Sequence, residues 1–165
     1  MSGLSNLFLE NFLSTKCDNF IGVYSVDRVP LNLWGKCCCV IINLSKAHLP
    51  EGHFVGIYIN KQNVLWYFDS YALSPPIHNS HLMNFLKKWI DCNKIKCVLS
   101  RSIQDFESLF CGWYTVAFCL FTNVYPDRSP SRFVTLFDTI SLRKNEKIVS
   151  HLVKSLCSKI NTPRG

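Results

Sequence analysis

The chain has 165 residues, and at about 150 residues per domain it holds one domain, with no room for a second catalytic one. Apolar residues make up 48% of it, aromatic residues 13% and charged residues 18%, which excludes a disordered chain and supports a sizeable buried core. Eighteen Lys and Arg against eleven Asp and Glu leave a net charge of +7, which favours phosphates or acidic partners without by itself establishing nucleic-acid binding.

The first segment, MSGLSNLFLENFLSTK, lacks the basic start of a secretory leader, and Glu10 breaks its apolar run, so the chain reads as unexported. No apolar run reaches the ~18 residues that a membrane helix needs. Nine cysteines, odd in number and irregular in spacing, then read as thiols in a reducing compartment. Leu4, Leu7, Phe8 and Phe12 fall at helical spacing and predict an amphipathic helix packed on the body. A strand is expected near Phe20 to Tyr24, followed by a loop through Asp27, Pro30 and Gly35. Cys37 to Ile42 is a continuous small and apolar run, which predicts a strand buried on both faces.

Residues 53–59 and 64–70 are two β-rich runs separated by Asn60-Lys61-Gln62-Asn63, the pattern of an antiparallel hairpin. With the turn at Lys61 and Gln62, His53 falls opposite Asp69 or Ser70 at the open end. Directly opposed residues share a face about 4.5–5.5 Å apart, so sixteen positions of sequence collapse into one contact. A helix follows from about His81 to Ile90, with Leu82, Phe85, Leu86 and Trp89 on one stripe, and Lys96 to Leu99 adds a short strand. Cys111 to Val124 is apolar all round, as suits a helix at the centre of a fold. The last helix, about Ser141 to Ile160, buries Val149, Leu152, Val153, Leu156 and Ile160 and turns Lys144, Lys147, Lys154 and Lys159 to solvent. Pro75-Pro76 and the stretch from Tyr125 to Pro130 punctuate the chain without dividing it. The expected class is α+β, a small mixed sheet against helices, in a single domain over 1–165.

Chemistry concentrates on few residues. Cys111 opens the buried helix, where free N–H groups and the positive end of the helix dipole favour its reactive thiolate. Gly112 lets a substrate backbone approach, and the same N–H groups suit a developing oxyanion. His53 is the base for this thiol, Asp69 orients its ring, and Gln104, seven residues before Cys111, offers a side-chain N–H to the oxyanion. Each residue alone is more often structural; it is the independent hairpin pairing of His53 with Asp69 that makes the set point to acyl transfer.

Two other clusters compete. His78-x-x-His81 with Cys92-x4-Cys97 is a loose zinc pattern, weakened by the packing stripe on which Leu82 and Phe85 sit, and no metal is expected. Cys37-Cys38-Cys39 alternates across a strand, so its thiols do not converge on one ion and read as small buried groups. Cys119, two turns after Cys111, is expected to point into the core.

The order His, Asp, Gln, Cys resembles that of the adenovirus-type protease (adenain) family, in the clan that includes the SUMO proteases. The matching pieces are Gly52-His53-Phe54, Tyr67-Phe68-Asp69-Ser70-Tyr71, and Gln104 through Ser108 to Cys111-Gly112. FIGVYSVDRVP at 20–30, CVIIN at 39–43 and SLRKNEKIVSHL at 141–152 extend the resemblance over roughly residues 5–155. The chain departs from the family in carrying Phe54 where Trp is usual after the catalytic His, and Asp69 where adenovirus enzymes often carry Glu.

The resemblance implies a protease fold with a buried central helix starting at the nucleophile. It implies an endopeptidase that cleaves viral precursor proteins of capsid or core at Gly-containing sites during particle maturation, in a virus or a virus-like transposon. Catalysis would rest on Cys111, His53, Asp69 and Gln104, with Gln104 and the Cys111 backbone N–H as the oxyanion hole and no cofactor for the chemistry. By the same resemblance, DNA acting through the basic surface (Lys87, Lys88, Lys94, Lys96, Arg101 and the last helix) and a short peptide disulfide-bonded near Cys97 are expected activators. The expected location is the virion and host nucleus, with no membrane partner and a monomeric state. The alternative substrate is a conjugate of a ubiquitin-like modifier, cut by an isopeptidase. A non-catalytic binding module would be marked by a missing His, Asp or Cys, and all three are present.

Overall fold

The computed structural model describes residues 4–49, 52–76, 78–138 and 140–161. Its centre is β2, Cys38–Asn43, every residue of which is buried. The alternation of a strand divides it cleanly: Cys39 and Ile41 face one apolar core, Val40 and Ile42 the other. β1 (Phe20–Ser25) runs parallel to β2, and β3 (Phe54–Ile59) runs antiparallel on its other side. β4 (Leu65–Phe68) and the short β5 (Ile95–Cys97) complete a mixed five-stranded sheet in the order β1-β2-β3-β4-β5. The fold is α+β, with helices on both faces of this sheet.

Helix α2, Ser80–Asp91, covers one face with Leu82, Phe85, Leu86 and Trp89, the stripe its sequence spacing predicts. It begins where the Asn79 side chain accepts the Leu82 N–H at 2.9 Å. The other face carries α1 (Asn6–Ser14), α3 (Cys111–Val124) and α4 (Asn145–Asn161). α3 lies directly on β3, since Gly56 leaves a gap there. A Cβ at Gly56 would sit 2.9 Å from Phe118 Cδ1 and 3.3 Å from Thr115 Cγ2. Phe118 in turn stacks on Phe68 of β4, with ring centroids 4.7 Å apart. This close seat of α3 decides where its first residue, Cys111, stands relative to the start of β3.

Several expectations shift. α1 buries Leu9 and Leu13 rather than the Leu4–Leu7–Phe8–Phe12 stripe, and Leu7 is 70% exposed. The helix starts only after Ser5, whose hydroxyl accepts the Phe8 N–H, so Leu4 lies outside it and packs on α3 instead. Glu10, read as an interruption of an apolar run, accepts the Val23 N–H at 2.6 Å and fastens α1 to β1. In the hairpin, Gly56 pairs with Phe68 and Ile59 with Leu65, a register one to two residues from the expected one. The turn is a three-residue loop, Lys61–Asn63, closed by the Asn63 N–H on the Asn60 carbonyl, with Asn63 at a φ of 58°. β5 starts and ends earlier than Lys96–Leu99. The last helix also starts late, after a 3-10 turn at Leu142–Lys144, and Leu152 and Ile160 are only partly buried. Among the described residues no helix is long and apolar enough to cross a membrane.

Candidate active site

His53 and Asp69 stand one residue outside β3 and β4, at the open end of the hairpin. The observed register does not oppose them directly, yet the side chains meet: His53 Nε2 lies 2.8 Å from Asp69 Oδ1. Asp69 is buried, while the His53 side chain keeps 20% of its surface exposed. The same Oδ1 also accepts the Tyr71 N–H at 2.8 Å, whereas Oδ2 is buried and takes no hydrogen bond from the described residues. A buried carboxylate served on one oxygen only is best balanced by a positive imidazole.

The imidazole that Asp69 holds through Nε2 also acts on the Cys111 thiol, each favouring the charged form of the other. Burial opposes charge on His53, but its hydrogen bonds to Asp69 and Cys111 and the charges on both outweigh burial and push it up to about 9. Cys111 moves the opposite way. Burial resists its ionisation, and the hydrogen bond from His53, the Phe54 N–H, the imidazolium charge and the Gly112 N–H together hold it below the ordinary thiol value. Among the described residues no side chain caps α3, which leaves the N–H groups of its first turn without an acceptor of that kind. The neighbouring imidazole and the helix N-terminus both shift Cys111 towards thiolate relative to an ordinary cysteine.

Gln104 is brought to the same region but is not free. It is fully buried; its amide donates to Tyr71 Oη at 3.0 Å and to the Ser108 carbonyl at 2.8 Å, and its Oε1 accepts the Ser70 hydroxyl at 2.6 Å. Both amide hydrogens are therefore engaged inside the protein in this structure. Gln104 here braces the loop that feeds Cys111. Gly112 differs from expectation: it is buried, and a Cβ there would press on Leu4 at 3.1 Å, so the close approach is internal packing rather than room for substrate.

Four further residues support the set, although the sequence motifs that contain them assign none of them a role. Ser70 accepts the Ile103 and Gln104 N–H groups on its carbonyl. Ser108 receives Gln104 on its carbonyl. Asn145, buried at the start of α4, donates to the carbonyls of Ile103 and Asp138. Tyr71 touches most of the set: its ring stacks on His53 with centroids 4.8 Å apart, and its hydroxyl lies between Gln104 and Ser108.

The competing clusters are dispersed. His81 Nε2 is hydrogen-bonded at 2.9 Å to the Val29 carbonyl, and Cys92 and Cys97 are exposed. Cys37 is exposed, whereas Cys38 and Cys39 are buried on opposite faces of β2. Cys119 is fully buried, its Sγ 2.8 Å from Cys39 Sγ. Among the described residues no group of three or more His, Cys, Asp or Glu side chains is placed to hold a metal ion.

No family model matches the chain, and no curated protein matches it. Among solved structures it is similar to the central domain of the Lpg1148 protein from Legionella pneumophila, with a TM-score of 0.51 at 12% identity, over 98% of this chain and 100% of that one. It is also similar to ChlaDub1 from Chlamydia trachomatis, with a TM-score of 0.45 at 18% identity, over 76% of this chain. The match spans 64% of ChlaDub1, less than two thirds of its length. At these identities the likeness is one of fold.

Proposed function

We propose that this chain is a cysteine hydrolase that cuts a peptide or isopeptide bond. The observation that carries the reading is the relay from Asp69 Oδ1 through His53 to Cys111, with the His53–Asp69 contact at 2.8 Å and the thiol held below its ordinary value. In this reading the Cys111 thiolate attacks the carbonyl carbon, and the electron pair moves to the carbonyl oxygen. N–H groups at the start of α3 hold that oxyanion; Gln104 joins them by exchanging one of its present bonds. Collapse expels the amine, which takes its proton from His53. Water, deprotonated by His53, then releases the acid from the thioester and restores the thiol.

A glycine before the scissile bond suits a nucleophile that is itself only partly exposed and has a base 20% exposed beside it. Conjugates of ubiquitin-like modifiers fit this best, since a flexible glycine-ended tail can reach a recessed sulfur while the folded part stays outside. Cleavage of precursor proteins at internal glycine sites, with DNA or a peptide as activator, is supported by the sequence resemblance.

The test is mass spectrometry of modifier conjugates and glycine-site precursor proteins incubated with wild type and with Cys111→Ala, with and without duplex DNA. New glycine carboxylates made by wild type alone support the hydrolase, and the substrate cut identifies the class. Equal cleavage by Cys111→Ala overturns the reading.

A further inference from the structure

Phe106 is a large aromatic side chain with 78% of its surface in solvent, yet the loop that carries it is tied down on every side. Arg143 reaches Glu107 Oε2 at 3.0 Å and Asp105 Oδ2 at 3.5 Å, bridging the two residues that flank Phe106. Asp105 closes the loop on itself by accepting the Glu107 N–H on its side chain and the Ser108 N–H on its carbonyl, both at 3.0 Å. The Phe106 ring lies flat on Tyr71, with centroids 5.2 Å apart and planes 7° from parallel. Tyr71 in turn lies on His53. One face of Phe106 is therefore spent on the stack, and the rest is open. Leu109, on the same loop, is 61% exposed. What sets Phe106 apart from the other exposed apolar side chains is its place in a ring stack that starts at His53, where a substrate side chain can cover its open surface.

We propose that Phe106 is a specificity-determining residue that receives an apolar or aromatic side chain on the leaving-group side of the substrate. The proposal rests on the Cys111–His53 reading. The acyl half of the substrate becomes attached to sulfur, while the leaving amine takes its proton from the imidazole, so the leaving half runs past His53. The stack belongs to the imidazole: Tyr71 and then Phe106 extend outward from its ring, whereas the acyl half is held at Cys111. Two successive ring spacings of 4.8 and 5.2 Å put Phe106 at most about 10 Å from His53. An extended chain covers that distance in about three residues, at roughly 3.3 Å each. The second to fourth residues of the leaving half are thus the ones in reach. Aromatic or long aliphatic side chains gain most there, through stacking or burial against the open ring.

The experiment uses a panel of peptides with a glycine acyl side, released as α-linked and as lysine ε-linked leaving halves, in which the second to fourth leaving-side residues are each varied among Phe, Leu, Gly and Asp. Wild type is expected to prefer Phe or Leu over Gly at one of these positions by about tenfold in kcat/KM. Phe106→Ala is expected to bring that ratio to near one, and Phe106→Tyr to retain it. Alkylation of wild-type Cys111 by iodoacetamide, followed by peptide mapping, reads the thiol independently of any substrate. A wild type that is alkylated selectively at Cys111 but shows no apolar preference, or cuts none of the panel, overturns the Phe106 assignment alone. So does a Phe106→Ala variant that keeps the wild-type ratio. A Cys111 that reacts no faster than the exposed Cys37 and Cys92 overturns the hydrolase reading and this inference with it.

Discussion

The Tyr71 ring rests on the His53 imidazole with centroids 4.8 Å apart, while the Tyr71 N–H holds the carboxylate oxygen that holds the imidazole. One residue thus constrains both the plane of the imidazole and the carboxylate bound to it. Its hydroxyl, between Gln104 and the Ser108 carbonyl, ties the same arrangement to the loop before Cys111. Tyr71→Leu removes the stack and is expected to lower kcat about tenfold and to move the alkaline limb of the pH profile, because an imidazolium loses its aromatic neighbour. Tyr71→Phe keeps the ring and should keep that limb in place. Identical pH profiles for wild type and Tyr71→Leu would reduce Tyr71 to packing.

Asp69 and His53 are expected to separate by degree. His53→Ala removes the group proposed to move the proton and should cost at least about a thousandfold in kcat/KM. Asp69→Asn leaves an acceptor for the Tyr71 N–H but removes the charge facing the imidazolium, and should cost less, on the order of a hundredfold. Steady-state rates for the two variants on one substrate decide the order, and a reversed order contradicts the assigned roles.

The opposite displacements of His53 and Cys111 carry a sign in pH. A thiol held below its ordinary value ionises at lower pH than Cys97, which burial pushes up, so at any one pH Cys111 should be alkylated faster than Cys97. His53→Ala should raise the pH at which Cys111 reacts. Folding follows the same linkage. A histidine raised from 6.5 to about 9 contributes stability that is fully present below 6.5 and is lost as pH rises through about 9. Urea midpoints of wild type and His53→Gln should therefore differ most at pH 6 and converge towards pH 10.

Gly56→Ala tests the seat of α3, which carries Cys111. Its Cβ would meet Phe118 at 2.9 Å, and that ring is fully buried and wedged against Phe68, so it has nowhere to swing. A loss of about 1–3 kcal/mol in stability is expected from the overpacking. Displacing α3 also displaces Cys111 from His53, so Cys111 alkylation at pH 7 should slow as well. Thermal melts and alkylation rates measured together check both halves.

Much of the scaffold was legible because its causes are local. The apolar stripe of α2, the all-apolar α3 and the doubly buried β2 each follow from periodicity within a dozen residues. The hairpin was legible as a hairpin but not in register, because Asn63 takes up a left-handed conformation and lengthens the loop by one residue. The stripe of α1 was misjudged for a similar reason. Ser5 caps the helix and leaves Leu4 outside, and the face that turns inward depends on where β1 and α3 lie rather than on α1 itself.

For the site, the hairpin pairing of His53 with Asp69, the helix opening at Cys111 and a residue order resembling a known family made Cys111, His53, Asp69 and Gln104 the candidates for acyl transfer. Which atoms meet was a tertiary matter. The glycine at position 56 lets α3 settle on β3 beside the end of the hairpin, and only then do the His53 ring, the Asp69 oxygen and the Cys111 sulfur share one place. The present work of Gln104, binding Tyr71 and Ser108, and the outward ring of Phe106 were equally beyond reach, because both depend on a loop whose shape is decided by Ser70, Arg143 and Asn145 from three distant stretches of chain. Amino-acid types and their intervals determine what chemistry is available; the packing of remote segments decides which hydrogen bonds that chemistry starts from.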